Sequence, residues 1–158
     1  MDITDKRILE ILSRRADATA TEISASVNLS IPAVNKRIQR LRQNGVIRNF
    51  TVLTDGKKVG KGILAYVFLV LQYNAGEAAL MEYIQRDPDV LECYAVTGDY
   101  DYIIKVCAED MESLEDKILC LKRQKGVLKS HTMLSLMEHK FQPTILPTIP
   151  ERENDHET

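Results

Sequence analysis

No stretch of this 158-residue chain approaches the roughly 20 consecutive apolar residues that a membrane span requires. Met1 is followed at once by Asp2, Asp5, Lys6 and Arg7 rather than by the apolar core of a signal peptide, so a cytoplasmic protein is expected. Cysteine is scarce: Cys93, Cys107 and Cys120 are odd in number and form no CxxC pair, which fits a reducing compartment better than a disulfide framework. His131, His139 and His156 show neither HxxxH nor HExxH spacing, so they are read as surface or interface residues, and no metal or other cofactor is expected. One further absence is local. Residues 29–47, LSIPAVNKRIQRLRQNGVI, hold four cationic side chains and no carboxylate, although the formal net charge of the chain is −2.

That segment belongs to a wider asymmetry. Residues 1–61 carry 12 Lys and Arg against 6 Asp and Glu, a net +6, while residues 62–158 carry 9 against 17, a net −8. Such a division does not specify a fold, but it points to a polyanion as the partner of the first half alone.

The first half reads as three helices. ITDKRILEILSRRA offers Thr4 as N-cap, Ile3 and Ile8 as a hydrophobic staple, and an apolar stripe of Ile8, Leu9, Ile11 and Leu12. Thr19-Ala20-Thr21-Glu22 has the form of a capping box that opens a second helix with Ile23 and Val27 inward; Asn28 suits the left-handed residue that ends it. Ser30 then caps a third helix, whose first turn tolerates Pro32 because its N–H groups lack partners anyway. Two helices joined by so tight a turn read as a helix-turn-helix. At about 100° per residue, Val34, Ile38 and Leu41 share the inward face of the third helix. Pro32, Lys36, Gln39, Arg40 and Gln43 form the outward one, made of residue types that reach base edges and phosphates in a major groove. Arg37 falls near the core boundary and is expected to be half structural. Gly45 ends the helix, and the alternating VIRNFTVLTD, closed by a turn at Asp55-Gly56, is predicted to form a wing with Arg48 beside the helix. The candidate DNA contacts at the start of the helix are thus Ser30, Pro32, Ala33 and Asn35. Lys36, Arg37, Gln39, Arg40 and Arg48 continue the surface.

Beyond the basic, glycine-punctuated KKVGKG, the continuously apolar ILAYVFLVLQY reads as a buried strand. Asn74 is placed to cap a helix with Leu80, Met81 and Ile84 inward, ending before Pro88. LECYAV and YIIKVC flank the turn TGDYD as a hairpin, and Asp110 caps a helix with Met111, Leu114, Ile118 and Leu121 inward, ended by Gly126. VLKSHTMLSLMEHKF closes the unit as a strand. The order β-α-β-β-α-β is the ferredoxin-like pattern, giving an α+β protein with a winged helix-turn-helix ahead of it. Two helices cover only one face of such a sheet, yet its strands are apolar on both sides. A second copy of the chain is expected on the open face, forming a two-fold dimer.

Leu29-Ser30, Val34, Arg37-Ile38, Leu41 and Gly45-Val46-Ile47 carry a family likeness, continued by Val96-Thr97-Gly98-Asp99-Tyr100-Asp101-Tyr102-Ile103-Ile104 and by Ser130 with Thr132. With this pattern, over roughly residues 2–141, the chain resembles the Lrp/AsnC (leucine-responsive, or feast/famine) family of prokaryotic transcription regulators. The resemblance implies a DNA-binding domain over 1–54, a hinge over 55–62, an effector-binding and oligomerisation domain over 63–141 and a tail over 142–158. It also implies dimers that assemble to octamers or similar, and control of amino-acid metabolism or transport. Arg42 departs from it, since many relatives carry an acid there.

By itself GDYD is turn chemistry, with Gly98 permitting a tight turn. The resemblance makes Gly98, Asp99, Tyr100 and Asp101 one wall of an effector pocket at a subunit interface, with Thr132, Met133, Leu134 and Ser135 opposite. The chemistry agrees. A carboxylate takes an ammonium group, hydroxyls and turn N–H groups take a carboxylate, and Met133 and Leu134 meet a side chain, so an amino acid is the expected effector. Two alternatives remain. One is an architectural, nucleoid-associated DNA-binding protein with no ligand response. The other is a relative of the tetrapyrrole decarboxylases that share this two-part architecture, whose pocket needs histidines and arginines that the acidic second half scarcely offers. No catalytic residue is assigned.

Overall fold

A computed structural model of the chain describes residues 1–72 and 76–148. It divides into two units: Met1–Val52 together with the C-terminal segment that begins at Lys140, and Leu53–His139.

In the first unit α1 spans Ile3–Arg14, α2 Ala20–Val27 and α3 Ile31–Gln43. The N-cap of α1 is Asp2, two residues before the expected Thr4: the Asp5 N–H donates to Asp2 Oδ1 at 2.8 Å and the Asp5 carboxylate accepts the Asp2 N–H in return, a complete capping box. Thr19 and Glu22 form the expected box on α2, Asn28 adopts φ 53° and ψ 47° at its C-cap, and Ser30 caps α3. Ile8, Leu12, Ile23 and Val34 form the core, with Ile11, Val27, Leu29, Ile38 and Ile47 packed round it. Each such side chain removed from water contributes about 1.5–3 kcal/mol, enough to hold three short helices that would not persist singly. The strand expected in the wing is a correction. No hydrogen-bonded strand forms over 46–55, and Phe50, Val52 and Leu53 are exposed, because this part of the chain has no paired strand beside it. From the C-terminal side, Lys6 Nζ donates to the Thr148 carbonyl, so residues 142–148, expected as a separate tail, group with the helices. His156 lies outside the described residues.

The second unit runs β1 (Ile63–Leu71), α4 (Glu77–Arg86), β2 (Val90–Ala95), β3 (Tyr102–Ala108), α5 (Met111–Lys122) and β4 (Val127–Leu134). The sheet is antiparallel in the order β2-β3-β1-β4, the arrangement expected of β-α-β-β-α-β. Ala65, Val67 and Leu69 of β1 and Ile104, Val106 and Ala108 of β3 pack under Leu80, Ile84, Leu114 and Leu121 from the two helices. Asn74 lies outside the described residues; the N-cap of α4 is Gly76, at φ +83° and with no side-chain bond. Met111, expected inward, is 59% exposed, since it sits in the first turn of α5 ahead of the buried Leu114. β4 stops at Leu134 rather than running to Phe141, because β1, its partner, begins at Ile63 and the Ser135 N–H already meets Leu64 at its end.

Candidate nucleic-acid interface and effector loop

Capping and packing fix how α3 presents its side chains. Ser30 Oγ accepts the Ala33 N–H, Val34 and Leu41 are buried, and Ile38 packs against the core. Rotation about the helix axis is thereby set, and the other face points outward. Ser30, Pro32, Asn35, Lys36, Gln39, Arg40 and Gln43 are exposed, as is Arg48 beyond the helix, and Ala33 is half-buried. Arg42 turns toward Phe50, its guanidinium carbon 5.9 Å from the ring centroid, a cation–π contact at the outer limit of useful range.

Two arginines of α3 have partners that the helix's own sequence does not contain. Arg37 Nη1 donates to Asp2 Oδ2 at 2.6 Å and to Asp5 Oδ1 at 2.7 Å, and Arg40 Nη2 donates to Asp5 Oδ2 at 2.9 Å. Arg37 is therefore the half-structural residue that its place at the core boundary predicted. Its bonds to Asp2 and Asp5 raise its pKa further above the arginine range, and the Arg37 guanidinium holds Asp2 below its ordinary value. The absence of carboxylates from 29–47 does not make the surroundings free of them: α1 supplies two. Sequence reasoning missed both, although Asp5 stands three and seven residues before Ile8 and Leu12 on the apolar stripe of α1. An acid on that stripe, with arginines spaced i, i+3 elsewhere, was the available signal.

At the tip between β2 and β3, Gly98 takes φ +111°, the left-handed region open to glycine. The turn that follows is clamped to β1. The Asp101 N–H donates to the Leu69 carbonyl at 2.9 Å, and the Leu71 N–H donates to Asp101 Oδ2 at 2.7 Å. Tyr100 lies on the open face of the sheet, its ring centroid 5.2 Å from that of Phe68 and 6.2 Å from that of His131, with Lys129 Nζ 5.6 Å above it. His131, read from sequence as an ordinary surface or interface histidine, thus belongs to an aromatic cluster built on the loop. Asp99 is exposed.

Thr132, Met133 and Leu134 pair with Val67, Tyr66 and Ala65, at the start of β1, whereas the loop is fastened at Leu69 and Leu71, at its end. The nearest of them, Thr132 opposite Val67 and the loop anchor at Leu69, are two residues of strand apart, roughly 7 Å. Met133 shares the open face with Tyr66, while Thr132, opposite the buried Val67, points to the helix side. Along that open face Tyr66, Phe68, Ile103, Tyr94 and Met133 lie uncovered or only half-covered, Tyr94 being 57% exposed. Among the described residues no group of His, Cys, Asp and Glu is arranged to hold a metal ion, and no helix is long and apolar enough to cross a membrane.

A capped helix-turn-helix with a cationic outward helix, joined in one chain to a four-stranded α+β unit bearing a loop cluster, defines a DNA-binding regulator with a ligand-binding domain. Comparison with known proteins agrees. Residues 1–48 match the winged helix-turn-helix DNA-binding family and residues 65–145 the Lrp/AsnC ligand binding domain. The chain is 33% identical over 150 residues to the HTH-type transcriptional regulator FL11 of Pyrococcus furiosus, covering 93% of this chain and 96% of that one. It is 36% identical over 121 residues to the transcriptional regulator AzlB of Bacillus subtilis, covering 75% and 77%. Among solved structures, the transcriptional regulator NMB0573/L-Met complex of Neisseria meningitidis superposes with a TM-score of 0.84 at 26% identity, over 92% of this chain and 96% of that one. The chain belongs to the Lrp/AsnC family of transcriptional regulators.

Proposed function

We propose that α3 is the DNA-reading helix, that the regulator answers to an amino acid, and that two copies pair through the open face of the sheet. The observation that carries the first point is the outward face of α3, where Lys36, Gln39, Arg40 and Gln43 are exposed together. With Ser30, Pro32, Ala33, Asn35 and Arg48 around them they offer donors to phosphates and base edges of duplex DNA. Arg37 contributes chiefly by holding the helix. A dimer sets two such helices about one turn of duplex apart. The relative solved with L-Met supports an amino acid as effector. Asp99 is the carboxylate of the loop with no structural bond to keep, and so the partner for an ammonium group. A ligand held by Gly98–Asp101 and Thr132–Ser135 at a subunit interface links binding to assembly. Larger assemblies such as octamers, a cytoplasmic site of action, control of amino-acid metabolism or transport, and the absence of catalysis complete the reading.

The test is direct. Lys36→Ala combined with Arg40→Ala is expected to abolish gel-shift binding to duplex DNA while light scattering shows an unchanged oligomer; unchanged DNA binding would refute the assignment of α3. A thermal-shift screen of the twenty amino acids should raise the melting temperature with one of them, by mass action; no response to any would favour an architectural protein without an effector.

A further inference from the structure

Asp5 is the one buried charged residue among the described residues, 1% exposed, on the stripe that carries Ile8 and Leu12 into the core. A carboxylate there must be fully paired. Its Oδ1 accepts from Arg37, and its Oδ2 accepts from Arg40 and, at 3.3 Å, from the Asp2 N–H. The two arginines differ in what is left over. Arg37 gives the same Nη1 to Asp2 and Asp5 and is only 26% exposed; Arg40 gives one nitrogen to Asp5 and remains 55% exposed.

A guanidinium has five N–H donors in a rigid fork, so fixing one nitrogen from behind fixes the plane and direction of the rest. Lys36, on the same face, has no such support, and its ammonium is a point charge on a flexible stem. We propose that Asp5 is a positioning residue for sequence discrimination: from inside the protomer it aims the free edge of Arg40 at the DNA, with Arg37 and Asp2 holding the carboxylate in place. Arg40 then reads sequence and Lys36 supplies affinity. The inference rests on the reading of α3 as the DNA-contacting helix.

A structural role and a positioning role give different results. Removing the Asp5 charge takes away a carboxylate beside the DNA face, which by electrostatics favours binding to any duplex. Loss of aim acts only on the preferred one. The probes are a duplex enriched from a random library by the wild-type full-length protein and an unselected duplex of the same length, titrated at one salt concentration. Asp5→Asn is expected to weaken binding to the enriched duplex roughly tenfold. Affinity for the unselected duplex should stay equal or rise. In an Arg40→Ala background the same change should cost nothing further. Equal losses on both duplexes, or a second tenfold loss in the Arg40→Ala background, would overturn the proposal. Should Asp5→Asn fail to fold, Arg40→Lys keeps the charge without the fork; it is expected to lose discrimination at unchanged melting temperature, and retained discrimination would overturn the proposal. If the wild type enriches no duplex, the reading of α3 falls too; if it enriches one and Asp5→Asn discriminates equally well, only the role of Asp5 falls.

Discussion

The Asp101 carboxylate accepts the Leu71 N–H at 2.7 Å, across 30 positions of sequence. In the loop Gly98-Asp99-Tyr100-Asp101 the second acid therefore terminates β1, while the first stands exposed.

Asp101→Ala is accordingly expected to lower stability by about 0.5–1.5 kcal/mol, the worth of a hydrogen bond, and the melting temperature by a few degrees. Asp99→Ala should leave melting unchanged and remove the stabilisation by the effector amino acid. Thermal unfolding with and without that amino acid separates the two; an equal loss of stability in both variants would contradict the division.

Operator affinity should fall steeply with salt, and Lys36→Ala should make the log–log slope shallower by about 0.9 for each phosphate contact removed. Titrations at several salt concentrations measure this. An unchanged slope would take Lys36 off the phosphate backbone.

Gly76 is expected to be intolerant of any side chain. It holds φ +83°, and a Cβ there would lie 1.6 Å from the Lys125 carbonyl oxygen, on the backbone between α5 and β4. Gly76→Ala combines left-handed strain with a clash that only backbone movement relieves, and should cost about 3 kcal/mol or more in a denaturant titration.

In the second unit, Lys117 Nζ reaches Asp87 Oδ2 at 2.9 Å and Asp89 Oδ2 at 3.1 Å, and Lys61 also pairs with Asp89. The Lys61 hydrogen bond is the main cause that holds Asp89 below its usual value, with Lys117 adding to it against the opposing effect of burial. For Asp87 burial pushes upward, and Lys117 with the Asp89 N–H outweighs it. Both folded values lie under the unfolded value near 3.8. This stabilisation is therefore complete above about pH 4 and drains away as pH falls through the lower folded values. Lys117→Met should lose stability at pH 7 and show a flatter decline in acid, read from urea midpoints at pH 7 and pH 3.

Tyr94→Asp places a charge on the open face without touching the helix-covered core. Smaller particles by light scattering, with unchanged far-ultraviolet circular dichroism, are expected; an unchanged size would move the pairing surface elsewhere.

What sequence revealed and what it missed follow the range of the interactions. Thr19 with Glu22, Asn28, Ser30 and Asp110 act on backbone within a few residues, so their roles could be read from spacing alone. The inward face of α3 was equally legible, because a period of 3.6 encodes it, whereas the continuously apolar β1 showed its burial but not which face meets the helices. Asp5 was not legible, since the arginines that make its burial tolerable come 32 and 35 positions later. The bond from the Leu71 N–H to the Asp101 carboxylate, 30 positions on, is invisible to local pattern for the same reason. The strand expected over 46–55 alternates well, but alternation supplies only half of a ladder, and among the described residues no strand pairs with it.

The order β2-β3-β1-β4 puts β1 between the last strand and the hairpin, bonded along both edges. Neither the hairpin nor β4 can peel away without breaking one of its two ladders, so amide hydrogens at its centre, at Val67 and Phe68, are expected to be among the slowest of this unit to exchange with solvent deuterium. Those protons are a built-in gauge of global stability for this half of the molecule, readable whether or not an effector is bound.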